Sequence, residues 1–131
     1  MSNLQAVYTA NACAPLPQFS QAVKYNGMVY CSGSIGIDPA TDDLVPGSVT
    51  DRARMALKNL QVVLEAAGSS LDRVVKANVF LADMKDFGAF NIAWDEFFPT
   101  EPKPCRTCVA VHQLPLNTDV EIEVTASYQL Q

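Results

Sequence analysis

The run from Val120 to Tyr128 constrains this chain more than any other stretch. Val120, Ile122, Val124, Ala126 and Tyr128 alternate with Glu121, Glu123, Thr125 and Ser127. Successive side chains of a strand point to opposite faces, so this run has one apolar and one polar side. It predicts a strand in a sheet with one buried face, and that face must be covered by other elements.

The covering elements are two predicted helices. From Ser48 to Gly68, the residues Ala53, Ala56, Leu57, Leu60, Val63, Leu64 and Ala67 keep helical spacing. Ser48 with Asp51 forms a capping-box pattern, and Gly68 is placed to end the helix. A second helix is expected from Asp83 to about Phe98, closed by Pro99, with Phe87, Phe90, Asn91, Trp94 and Phe98 on one stripe.

Asn26-Gly27 is a strong hairpin turn signal, because both residues tolerate positive φ. It predicts strands at 20–25 and 28–32, broken by Ser32-Gly33-Ser34. Further strands are expected at 73–81 and 105–112. Residues 3–18 read as an irregular lead-in, and "DPATDD" as a loop. The order ββαβαββ implies an α+β fold with both helices on one face of a mixed sheet. The opposite face must then meet water or another subunit. With no repeats or linkers, residues 1–131 are expected to form one domain.

Hydrophobic residues make up 49% and charged residues 18%, a folded rather than a disordered composition. The net charge of −5, with scattered lysines and arginines, argues against nucleic acid as a partner. No apolar run reaches the ~18 residues of a membrane span, and the start lacks a basic, apolar leader. The expected location is cytoplasmic, with the four cysteines as free thiols.

"PCRTCVAV" poses the sharpest chemical question. Cys105 and Cys108 form a C-x-x-C, which can be a redox pair or half a zinc site. In a strand, however, residues three apart face opposite ways, and no second C-x-x-C or C-x-x-H is present to complete a zinc site. Metal and cofactor are therefore not expected. The same alternation puts Arg106 and Cys108 on one face. Arg106 there either forms a structural ion pair, lies at a solvated edge, or clamps a carboxylate. Asn91 is either a satisfied boundary amide or part of a site. Glu121 and Glu123 either face solvent or, in one case, act. His112 lies too far along the strand to reach Arg106. No nucleophile elbow, phosphate loop, dinucleotide fingerprint or zinc-protease motif is present.

Taken together, "FSQAVKYNGMVYCSGSIGIDPAT", "LEAAG", "VVKANVFLADMKDFGAFN" and "PCRTCVAVHQLPLNTDVEIEVTA" resemble the Rid (YjgF) family of reactive-intermediate deaminases. The resemblance runs from about residue 15 to the C-terminus. It implies a chorismate-mutase-like fold and a homotrimer with pockets between subunits. It also implies cofactor-independent hydrolysis of small 2-imino or 2-enamino acids, such as 2-iminopropanoate, to 2-oxo acids and ammonia.

The resemblance further implies that Arg106 holds the substrate carboxylate, with Cys108 beside it and Glu121 positioning water. It makes Phe19, Ser32, Gly33, Asn91 and Thr107 substrate-binding residues. Phe19 stands where the family has tyrosine, Gln18 where it usually has proline, Ser34 where it has glutamine and Cys105 where it commonly has alanine. The lost hydroxyl at Phe19 keeps a second reading open, a regulatory trimer that binds a small carboxylate without catalysis. A pathway-specialised imine hydrolase is a third, and a ribonuclease is disfavoured by the acidic charge.

Overall fold

The computed structural model describes residues 3–129. In chain order its strands and helices are β1 (Gln5–Val7), β2 (Ala22–Tyr25), β3 (Met28–Cys31), β4 (Ile37–Asp38), β5 (Asp43–Leu44), α1 (Val49–Ala66), β6 (Val74–Leu81), α2 (Phe87–Phe97), β7 (Cys105–Ala110) and β8 (Val120–Ser127). Six strands form one sheet in the order β1-β2-β3-β8-β6-β7. β6 and β7 are parallel, because α2 connects them as a crossover, and the other neighbours are antiparallel. This is the α+β arrangement with a mixed sheet that the pattern predicts.

Local chemistry explains the main elements. Asn26 and Gly27 have φ of 51° and 81°, the backbone that a two-residue hairpin between β2 and β3 needs. At the start of α1 the Asp51 carboxylate accepts from the Ser48 backbone N–H at 2.9 Å. Gly68, with φ of 82°, turns the chain away from α1. In β8 the buried residues are Val120, Ile122, Val124 and Ala126, which pack under the helices with Leu57, Leu64 and Phe90. The helices are tied together by Arg54, which donates twice to the Glu96 carboxylate, and by Thr50 Oγ1, which donates to the Ala89 carbonyl.

Three expectations are corrected. The lead-in is not wholly irregular, since Gln5–Val7 pairs with Lys24–Ala22 as the sheet edge. "DPATDD" is the turn of a small hairpin, β4 with β5. The second helix begins at Phe87 rather than Asp83, because Asp83 caps a 3-10 turn over Met84–Asp86 by accepting from the Lys85 N–H.

Among the described residues no helix covers the other face of the sheet. Rows run across it: Cys105, Lys76, Thr125, Tyr30; Thr107, Asn78, Glu123; and Val109, Phe80, Glu121. Tyr30 is 49% exposed and Val109 43%. Among the described residues no helix is long and apolar enough to cross a membrane.

Candidate active site

Arg106 sits on the edge strand β7, opposite Ala77 in the register, and Ala77 is buried beneath the helices. Its side chain therefore runs to the helical face. There Cζ lies 4.8 Å from the Trp94 ring centroid, 5.5 Å from Phe87 and 5.6 Å from Phe90. Nη1 donates to Asn91 Oδ1 at 2.8 Å. Helical spacing on α2 places these four side chains on one stripe, so the helix holds the guanidinium by rings and one amide. Among the described residues no carboxylate lies within ion-pair distance of Arg106. A guanidinium carries five N–H donors, so most of its capacity remains for a planar anion. It opens on a cleft of 350 Å³ lined by Asn91, Trp94, Asp95, Lys103, Pro104 and Arg106.

Cys108 follows Arg106 on the same face, half-buried, opposite Val79. Burial pushes its thiol up, and the Arg106 charge opposes that. Cys105 is exposed, with its thiol directed at the Val75 carbonyl. The two cysteines face opposite ways, as strand alternation requires.

The second group of predicted residues gathers around Glu121. Its carboxylate packs on Gly33 so closely that a Cβ there would meet Oε2 at 2.6 Å. Only glycine leaves Glu121 its place. Ser34 and Ile122 exchange backbone hydrogen bonds of 2.7 and 3.0 Å, which set the Ser32–Ser34 segment beside β8. Ser32 Oγ donates to the Ser20 carbonyl at 2.6 Å, next to Phe19, which is 49% exposed. The buried Gln21 amide fixes the approach to this segment through Thr9 and the Cys13 carbonyl. Burial, and then the charge of Glu123, hold the Glu121 carboxyl above the ordinary carboxylate range. Glu123 itself accepts from Asn78 Nδ2 at 3.1 Å.

Arg106, Asn91 and Cys108 thus form one group, and Glu121, Gly33, Ser32 and Phe19 another. The two do not meet within the chain. Glu121 shares its row with Phe80 and Val109, on the face away from the helices. Two strand spacings and three residues separate it from Arg106, roughly 14 Å between backbones, with the side chains on opposite faces. Thr107 joins neither group and lies in the row of Asn78 and Glu123. His112 is exposed and lies beyond β7, which stops at Ala110 rather than at the expected residue 112. Among the described residues no cluster of three His, Cys, Asp or Glu side chains could hold a metal ion.

Sequence reasoning missed Lys103 and Asp95 in the Arg106 cleft. It also missed the Arg52–Asp119 ion pair, with bonds of 2.8 Å from both Nε and Nη2, just before Glu121. No periodicity signals such contacts: Arg52 and Asp119 are far apart in sequence, and Lys103 lies in a loop whose path depends on where α2 ends.

The chain as a whole is similar to known proteins. Residues 9–128 match the family model described as endoribonuclease L-PSP. The chain is 43% identical to protein HMF1 of Saccharomyces cerevisiae over 97% of each chain. It is 42% identical to the 2-iminobutanoate/2-iminopropanoate deaminase of Mus musculus, over 93% of this chain and 90% of that one. The crystal structure of yeast Mmf1 superposes with a TM-score of 0.93 at 43% identity, covering 97% of this chain and 100% of the other. The chain belongs to the endoribonuclease L-PSP family, the YjgF/RidA family that its sequence resembles.

Proposed function

We propose that the protein hydrolyses small 2-imino and 2-enamino acids to 2-oxo acids and ammonia. The observation that carries this reading is the Arg106 guanidinium, held by three rings and one amide and lacking a carboxylate partner among the described residues. Burying a cation partway without an anion is costly, and a ligand carboxylate removes that cost. The deaminase name of the mouse relative gives the same substrate class.

In the proposed reaction Arg106 binds the carboxylate in two-point fashion, which fixes the adjacent imine carbon. Glu121, ionised, takes a proton from water as the oxygen adds to that carbon. That proton passes to the nitrogen, giving a carbinolamine; the new hydroxyl then gives its own proton to the nitrogen as the C–N bond breaks, which leaves the 2-oxo acid and ammonia. One water is consumed for each ammonia released. Cys108 and Asn91 shape the Arg106 side, and Ser32, Gly33 and Phe19 the Glu121 side. Thr107 serves through the sheet face rather than through direct reach to Arg106.

Because Arg106 and Glu121 stand on opposite sheet faces, the reaction needs Glu121 from a second copy. We take the assembly to be a homotrimer with its sites between subunits, acting in the cytoplasm. The uncovered sheet face, with Tyr30 and Val109, supplies apolar surface for it. The family description names an endoribonuclease, but the net charge of −5 and the lone, exposed His112 favour the imine reaction.

The test generates the imine in situ with an amino-acid oxidase and follows the species that semicarbazide traps. The protein should accelerate loss of that species, and Arg106→Ala should abolish the acceleration while remaining folded. Wild-type rates in Arg106→Ala would refute the assignment. Tight 2-oxo-acid binding with no acceleration would make the protein a carboxylate binder.

A further inference from the structure

The Arg106 cleft holds a second cation that the proposed reaction does not use. Lys103 lines the same 350 Å³ cleft, and its Nζ donates to the Phe98 carbonyl at 2.8 Å. Phe98 closes α2, so the ammonium is pinned to the end of the helix whose middle, at Asn91, holds Arg106. That bond uses one of three ammonium protons and leaves two for a ligand. Among the described residues Lys103, like Arg106, has no carboxylate within ion-pair distance.

The separation of the two anchors bears on the length of ligand that reaches both cations. Their anchors, Asn91 and Phe98, are seven residues apart, which at ~1.5 Å per residue is about 10 Å along the helix. An extended five-carbon dicarboxylate with one hydrogen bond at each end spans roughly 10–12 Å. A three-carbon monoacid held by Arg106 falls well short of Lys103. Asp95 also lines the cleft and works against a second carboxylate.

We propose that this cleft favours 2-imino dicarboxylates, with the carboxylate beside the imine on Arg106 and the distal one on Lys103. The proposal rests on the reading of Arg106 as a carboxylate clamp and adds the substrate class.

The test compares binding of glutarate and butanoate by calorimetry. It also compares kcat/KM for 2-iminoglutarate and 2-iminopropanoate, each generated by an oxidase. An exposed ammonium against a carboxylate should give about a three- to tenfold preference for the diacid in both measurements. Lys103→Met should erase that preference through KM, Lys103→Arg should keep it and Asp95→Asn should enlarge it. No preference in the wild type, or the same preference in Lys103→Met, overturns the proposal. Failure to bind any carboxylate or hydrolyse any imine would instead overturn the Arg106 reading beneath it, a distinguishable result.

Discussion

Glu121 occupies the space that a side chain at position 33 would need: a Cβ on Gly33 would stand 2.6 Å from Glu121 Oε2 and 2.8 Å from its carboxyl carbon. The serine-glycine segment therefore acts through an absence of atoms. It lets the carboxylate lie against backbone, where burial shifts its titration.

Gly33→Ala should displace that carboxylate more than it disturbs the fold. The contact is with the end of a flexible side chain, so stability should fall by only about 1 kcal/mol. The rate of imine hydrolysis should fall at least tenfold, because a displaced base no longer meets its water. Thermal unfolding and kcat/KM measured on one sample check both halves. An active Gly33→Ala protein would remove Glu121 from the reaction.

The titration of Glu121 gives a signed pH prediction. Burial and Glu123 raise its pKa above the ordinary value of 4.5. If its ionised form orients water, kcat/KM should fall on the acid side with a midpoint above 4.5. Glu123→Gln removes a like charge and should move that midpoint down. For stability, a carboxyl with a raised folded pKa contributes fully below its unfolded pKa. That contribution is lost as pH rises through the folded pKa. Glu121→Gln should therefore gain stability relative to wild type near neutral pH and lose the advantage in acid. Unfolding midpoints across pH measure this directly.

How much of this was legible in the sequence depends on range. Alternation in Val120–Tyr128 placed Glu121 on the polar face of its strand, and alternation in Cys105–His112 placed Arg106 with Cys108. Neither pattern says how two strands face one another. That follows from the register of Phe80 with both Glu121 and Val109, a tertiary fact. The opposition of Arg106 and Glu121 was thus present in pieces but not assembled. The helical stripe identified Asn91, Phe87 and Trp94 because helix spacing is local. Gln5–Val7 escaped because three residues carry too little periodicity, and Lys103 because its role depends on where the end of α2 lies.

Arg52 and Asp119 should prove a strong structural pair. Arg52 binds both Asp119 oxygens at 2.8 Å and reaches the Val45 carbonyl at 3.2 Å. The guanidinium holds the Asp119 carboxyl below the usual carboxylate range. Its stabilisation is present above the unfolded pKa and lost as pH falls through the folded one. Arg52→Ala should cost about 1–2 kcal/mol at neutral pH, since the pair is partly solvated. A double-mutant cycle with Asp119→Ala should recover most of that as coupling. A coupling near zero would contradict it.

Cys105 and Cys108 should not form a disulfide. Three residues of extended strand separate their Cα atoms by about 10 Å, beyond the reach of an S–S bridge. Mild oxidation should leave no intramolecular link between them in a peptide mass map. Cys31, whose thiol burial pushes up to about 12, should resist thiol reagents until the protein unfolds. A Cys105–Cys108 link would contradict the strand assignment of β7.

In the proposed reaction, Arg106 of one copy and Glu121 of another complete one site. Co-assembly of Arg106→Ala with Glu121→Gln tests it most directly. Each variant alone should be inactive. Mixed assemblies made from equal amounts should regain about a quarter of wild-type activity, because one interface in four pairs an intact Arg106 with an intact Glu121. Activity no greater than the sum of the two separate variants, in assemblies shown to be mixed, would contradict the account.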